Sequence, residues 1–152
     1  MDIYARLKEL NIELPPAPKV MGLYVPVKIA GNMAYVSGQG PLADGKIICT
    51  GKVGKDVALD QAQAAARQIA LNTLAALHEY AGGLDKIKSV VKVTGFVASA
   101  EGFNDQPAVI NAFSQVFADV FGESGRHARS AVGTNELPMN ISVEIESIFE
   151  LK

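Results

Sequence analysis

The sequence predicts an α+β fold in which one β-sheet carries two long helices on a single face. Strand-like and helix-like runs follow one another in the order strand, strand, helix, strand, helix, strand, strand, which is not the regular alternation of a doubly wound parallel sheet. The last run, 142–150, alternates Val143, Ile145, Ser147 and Phe149 on one side with Ser142, Glu144, Glu146 and Ile148 on the other. If helices cover the first side, the second is a mixed surface open to subunit contact.

Each element has its own signal. Residues 2–10 place Ile3, Leu7 and Leu10 at helical spacing, and Pro15, Pro16 and Pro18 follow as a rigid connector, so 1–18 reads as an N-terminal helical extension of a single domain spanning 1–152. Two β-type runs, 24–29 and 33–37, flank Ala30-Gly31-Asn32, whose glycine and asparagine tolerate the positive φ of a hairpin turn. Between 37 and 56 the chain is rich in glycine and carries a second turn signal at Asp44-Gly45, which leaves backbone groups open to a ligand.

Residues 58–81 form the longest helical pattern, with Leu59, Ala62, Ala66, Ile69, Thr73, Leu74 and Leu77 on one face and Gly82-Gly83 as the stop. A valine-dense strand is expected over 87–98. A second helix over 107–121 takes Asp105 as its cap, buries Val109, Ile110, Phe113, Phe117 and Val120, and ends at Gly122. Strands over 128–133 and 142–150 close the chain.

Composition narrows the function. The 152 residues are 49% hydrophobic and 20% charged, the profile of a folded chain with one ordinary core. A net charge of −2 is too small for a general nucleic-acid binder. Charges break up the first ten residues, so they cannot form a signal peptide's apolar core, and no apolar run approaches the roughly 20 residues that span a membrane. The cytoplasm is therefore the expected compartment. Cys49 is alone, and neither His78 nor His127 has a thiol neighbour to complete a metal cage, so no structural metal is expected.

Gly40 to Lys46 fits G-x-x-x-x-G-K formally, but Ile47 stands where a magnesium-binding hydroxyl is needed, Pro41 interrupts the loop and no helix pattern follows, so it is rejected as a phosphate loop. Cys49 has no obvious local base, and Ser37 lacks the G-x-S-x-G elbow of a serine nucleophile. His78, late in a helix, suits a surface role at the negative end of the dipole. The segment Gly125-Arg126-His127-Ala128-Arg129-Ser130 instead concentrates positive charge where a strand begins, which suits a small carboxylate-bearing molecule held by the Arg129 guanidinium fork. The rival reading is a surface salt bridge. Glu144 supplies a carboxylate that can activate water if it faces inward and burial raises its proton affinity, against the rival of a plain exposed strand position.

Several segments together resemble one family, the RidA or YjgF-like proteins, described historically as endoribonuclease L-PSP and now mostly as enamine/imine deaminases. They are Gly31-Asn32-Met33-Ala34-Tyr35-Val36-Ser37-Gly38-Gln39, Ala70-Leu71-Asn72-Thr73-Leu74, Val109-Ile110-Asn111-Ala112-Phe113, Ala128-Arg129-Ser130, and Leu137-Pro138 followed by Val143-Glu144-Ile145-Glu146. The resemblance covers roughly residues 20–151, and the N-terminal helix is similar to that of a longer subgroup. It implies a chorismate-mutase-like fold assembled as a homotrimeric barrel with ligand pockets between subunits, and no metal or organic cofactor.

It also implies that Arg129 clamps a substrate carboxylate and that Glu144 positions water, with Tyr24, Ser37, Gly38 and Asn111 lining the pocket. Ala131 stands where a cysteine commonly follows the Arg-Ser pair, and Gly133 replaces a bulkier acidic position, so the pocket is expected to differ in size or shape. The activity implied is hydrolysis of 2-imino acids to 2-oxo acids and ammonia. A non-catalytic binding or sensing protein for a carboxylate metabolite is the alternative, and a ribonuclease fits poorly with the slight negative charge.

Overall fold

The computed structural model describes residues 1–20 and 22–152. Helix α1 (Ile3–Glu9) starts at Asp2, whose carboxylate accepts the Tyr4 and Ala5 N–H groups. It is fastened to the body of the protein by buried Leu7, by the Arg6 guanidinium donating to the Asp119 carbonyl at 2.9 Å, and by the Tyr4 hydroxyl. That hydroxyl accepts the Leu84 N–H at 3.0 Å and lies 2.8 Å from His78 Nδ1, so His78 anchors α1 from the end of the long helix.

Strands β1 (Val27–Ala30) and β2 (Met33–Gln39) form the expected hairpin, closed by Gly31-Asn32. Only Gly31 takes a positive φ, 59°; Asn32 does not need the tolerance attributed to it. β1 begins three residues later than expected because the chain bends through 22–24 and Pro26 has no N–H to pair. β2 runs on to Gln39 across a register shift after Val36. A second, two-residue-loop hairpin, β3 (Leu42–Ala43) and β4 (Lys46–Ile47), turns at Asp44 and Gly45 with φ of 52° and 74°. The G-x-x-x-x-G-K stretch is thus a β-ribbon with a strand, not a helix, after it.

Helix α2 (Leu59–Tyr80) buries six alanines among its inward residues, which lets its backbone lie close to the sheet. The Gln61 carboxamide accepts the Ala58 N–H at 2.9 Å at its start, and Gly82 and Gly83, at φ of 84° and 115°, end it. Strand β5 (Ile87–Ala98) and helix α3 (Gln106–Phe121) follow. Asp105 occupies the cap position of α3 but makes no capping bond, since its φ of −99° and ψ of 37° are not the extended geometry that aims a cap side chain at the helix. Gln106 folds back instead, donating to the Phe103 carbonyl at 2.8 Å and the Ser99 hydroxyl at 3.2 Å.

Strands β6 (Ala128–Thr134) and β7 (Val143–Leu151) complete a five-stranded sheet in the order β1-β2-β7-β5-β6, antiparallel except for the parallel pair β5 and β6. Both α2 and α3 pack on the side carrying Val143, Ile145 and Phe149, all fully buried, and the Phe117 and Phe149 rings lie 5.5 Å apart. This is the α+β arrangement expected, with helices on one face. Ser142 departs from the expected exposed row: it is buried, and its hydroxyl donates to the Gly51 carbonyl at 2.7 Å because the loop before α2 closes over the start of β7. On the face without helices, Tyr35 and Val132 are 44% and 42% exposed.

Candidate functional site

Arg129 is the second residue of β6 and pairs with Val93, a core residue of β5, so its side chain leaves the sheet on the helix side. There its guanidinium donates to Asn111 Oδ1 at 2.8 Å and Ser114 Oγ at 3.1 Å. Asn111 and Ser114 stand three apart on α3 and share one helix face. Among the described residues no carboxylate lies within 4.0 Å of Arg129; the ion pairs are Arg6–Glu9, Lys86–Asp85, Lys88–Glu150 and Arg126–Glu123. The surface salt bridge is therefore not what holds Arg129. It is a half-buried cation fixed by two neutral acceptors, with guanidinium donors left over for an anion.

The cation faces a cavity of about 370 Å³ between α3 and the segment entering β6, bounded also by Gln115, Arg126 and His127. His127 is half-buried, and its Nδ1 lies 3.2 Å from the Ala128 carbonyl, an acceptor only, which leaves Nε2 as the unprotonated nitrogen of the neutral ring. Burial holds its pKa below the ordinary value; the Ala128 hydrogen bond opposes this, and Arg129 adds to the lowering. Ser114 and Gln115 were not anticipated, whereas Arg126 belongs to the basic segment 125–130 read from the sequence. The signal for Ser114 was present, since it lies one helical step beyond Asn111.

Glu144 sits elsewhere. It pairs with Phe96 on β5 and faces away from the helices, on the side where the strand alternation put it and not on the inward side that the water-activating reading required. It is half-buried all the same, because β2 passes close to it at Gly38: a Cβ on Gly38 would lie 3.0 Å from the Glu144 carboxyl carbon. Burial first, and the charge of Glu146 second, raise the Glu144 pKa above the ordinary carboxylate value. Tyr24 and Ser37 border a second cavity, about 430 Å³, with Lys28, Tyr35, Lys92 and Glu146 on the same side. The Ser37 hydroxyl donates to the Val25 carbonyl at 2.6 Å and so secures the segment that carries Tyr24.

The predicted residues thus fall into two clusters, Arg129 with Asn111 on the helix side, and Glu144, Gly38, Ser37 and Tyr24 toward the open side. Ala131 belongs to the first: it pairs with Gly95 one row along from Arg129 and packs partly against the core. A Cβ on Gly133 would meet Gln106 Nε2 at 2.8 Å and Ser99 Oγ at 3.0 Å, so the folded-back glutamine occupies the space of a larger side chain. Cys49 is buried in the core cluster, away from both. Among the described residues no helix is long and apolar enough to cross a membrane.

This arrangement has relatives. A family model described as "YjgF/chorismate_mutase-like, putative endoribonuclease" matches residues 4–151. Protein TCP17 of Trypanosoma cruzi is 39% identical over 150 residues, 98% of this chain and 94% of TCP17. A 2-iminobutanoate/2-iminopropanoate deaminase of Dermatophagoides farinae is 36% identical over 137 residues, covering 90% of this chain and 92% of the mite protein. The crystal structure of a protein of unknown function from Agrobacterium tumefaciens superposes with a TM-score of 0.91 at 50% identity, over 99% of this chain and 92% of that one.

Proposed function

Because this chain belongs to the YjgF/chorismate mutase-like family, we propose that it hydrolyses reactive 2-imino acids to 2-oxo acids and ammonia, as a homotrimer whose pockets are shared between subunits. The observation that carries the reading is Arg129, a cation held at 2.8 Å and 3.1 Å by Asn111 and Ser114 and facing a cavity with no carboxylate partner among the described residues. A substrate carboxylate fills that vacancy bidentately and fixes the imine carbon. Glu144 of an adjacent copy, whose raised pKa suits proton transfer, takes a proton from water as its oxygen bonds to the imine carbon. That proton passes to nitrogen to give the carbinolamine; Glu144 then carries the hydroxyl proton to the amine as the C–N bond breaks, so that ammonia leaves and the carbonyl forms.

Subunit sharing is supported by the separation of the two clusters across the sheet and by the apolar residues exposed on the open face. The test is release of ammonia or 2-oxo acid from enzymatically generated 2-aminoacrylate. Release above the blank that Arg129→Ala abolishes supports the reading; equal rates for wild type, variant and blank end it.

The orientation of Glu144 away from the helices favours a second reading, a carboxylate-binding protein without catalysis. Under that reading a 2-oxo acid raises thermal stability and Glu144→Gln binds it as well as wild type does.

A further inference from the structure

We propose that the Arg129 site takes a ligand with two acidic groups, a 2-oxo or 2-imino diacid of four or five carbons, whose second acid is received by His127 with Arg126 beside it. The inference rests on Arg129 receiving the first carboxylate. What points to the second is the lining of the cavity: Arg126, His127 and Arg129 contribute every ionisable group in it, all of them basic, and Asn111, Ser114 and Gln115 supply the rest of its polarity. A monoacid held by Arg129 leaves the half-buried His127 ring facing apolar ligand atoms with its Nε2 unpartnered, a poor match for a polar group partly withdrawn from water.

The spacing is also specific. His127 and Arg129 stand two apart where the chain is extended, so they leave it on the same side with Cα atoms about 7 Å apart, a span that a short diacid bridges. His127 is oriented for the task, because Nδ1 lies against the Ala128 carbonyl and Nε2 is left for the ligand. Nε2 carries no proton in the neutral ring, so receiving a carboxylate requires the ring to take one up.

The charged groups around His127 are Arg126 and Arg129 on its own segment. Glu123 pairs with Arg126 at 3.4 Å at an exposed position, and the Asp119 carboxylate of α3 accepts from Gln115 at 2.8 Å. Neither acid lines the cavity. Burial and Arg129 lower the proton affinity of the free ring, so a diacid that needs the ring protonated takes up a proton on binding and binds more strongly as pH falls.

The experiment measures calorimetric dissociation constants for 2-oxoglutarate and for 2-oxopentanoate, a monoacid of the same carbon count. Wild type should bind the diacid about tenfold more tightly, the scale of one charge-assisted hydrogen bond. That ratio should grow at lower pH, with proton uptake visible as a buffer-dependent heat. In Arg126→Gln/His127→Gln it should collapse toward unity and lose its pH dependence.

Equal binding of the two acids by wild type, or a preference that survives in the double variant, overturns the inference and leaves the deaminase reading standing. Failure of both acids to bind overturns the inference together with the Arg129 clamp. A diacid preference without ammonia release from any imino acid sinks the deaminase reading alone.

Discussion

Arg129 and Glu144 leave the sheet on opposite faces. Their partners on β5, Val93 and Phe96, are three residues apart, and an odd separation along a strand reverses the side-chain direction. A single chain therefore presents the guanidinium and the carboxylate on opposite sides of its sheet. If the active pocket is shared, Arg129→Ala and Glu144→Gln should each abolish imine hydrolysis as pure oligomers, yet restore it when co-expressed and purified together. With random assembly and one donor of each kind per pocket, about a quarter of the pockets are intact. An inactive mixture that still contains hetero-oligomers would refute the shared site.

Asn111 holds Arg129 without neutralising it. Asn111→Ala removes one acceptor from the guanidinium and should weaken 2-oxopentanoate binding about tenfold, within the usual worth of a hydrogen bond to a charge. Asn111→Asp keeps an acceptor but adds an anion 2.8 Å from the cation, and should weaken binding further than alanine does. The calorimetric order wild type, alanine, aspartate is the expected result. Aspartate binding as well as wild type would show that Arg129 is not a carboxylate receptor.

Gly38 is small because Glu144 is beside it. A Cβ there would stand 3.0 Å from the carboxyl carbon and 3.2 Å from Oε2, closer than a relaxed contact, so Gly38→Ala should push the carboxylate aside. Deamination should fall at least tenfold while the melting temperature moves by only a few degrees, since the strained neighbour is a movable side chain. Full activity in Gly38→Ala would mean that the position of Glu144 does not matter to the reaction.

Tyr4 links three segments through one oxygen. Tyr4→Phe leaves the N–H of fully buried Leu84 without an acceptor and removes the contact to His78, and should cost about 1–3 kcal/mol in denaturant unfolding. An unchanged midpoint would show that α1 contributes nothing through this bond.

The strand and helix order, the hairpin at Gly31-Asn32 and the buried stripe of α3 were legible because periodicity and turn chemistry are local properties of the chain. The charge cluster around Arg129 was legible for the same reason. The rest depended on distant partners. That Ser142 would be covered by the loop at Gly51, or that Gln106 would displace Asp105 as the group closing the start of α3, is decided by tertiary packing. The side of the sheet each candidate faces required the register between β5, β6 and β7, which no single segment carries. The resemblance named Asn111 as a pocket residue but not as a partner of Arg129; that contact, like the one to Ser114, came from the fold.

Glu144 should also leave a mark on stability. Its folded pKa is raised above the ordinary 4.5, chiefly by burial, so the folded state holds a proton more tightly than the unfolded chain does. The stability this contributes is fully present below pH 4.5 and is lost as pH rises through the folded value. His127 has the opposite sign: its folded pKa lies below 6.5, so its contribution is present above pH 6.5 and lost as pH falls through the folded value. Glu144→Gln removes only the first effect. Its melting temperature relative to wild type should therefore become more favourable as pH is raised from about 4 toward neutrality, with His127 cancelling in the comparison. A difference that stays flat across that range would show that Glu144 is solvated like any surface carboxylate, and would remove the reason for assigning it proton transfer.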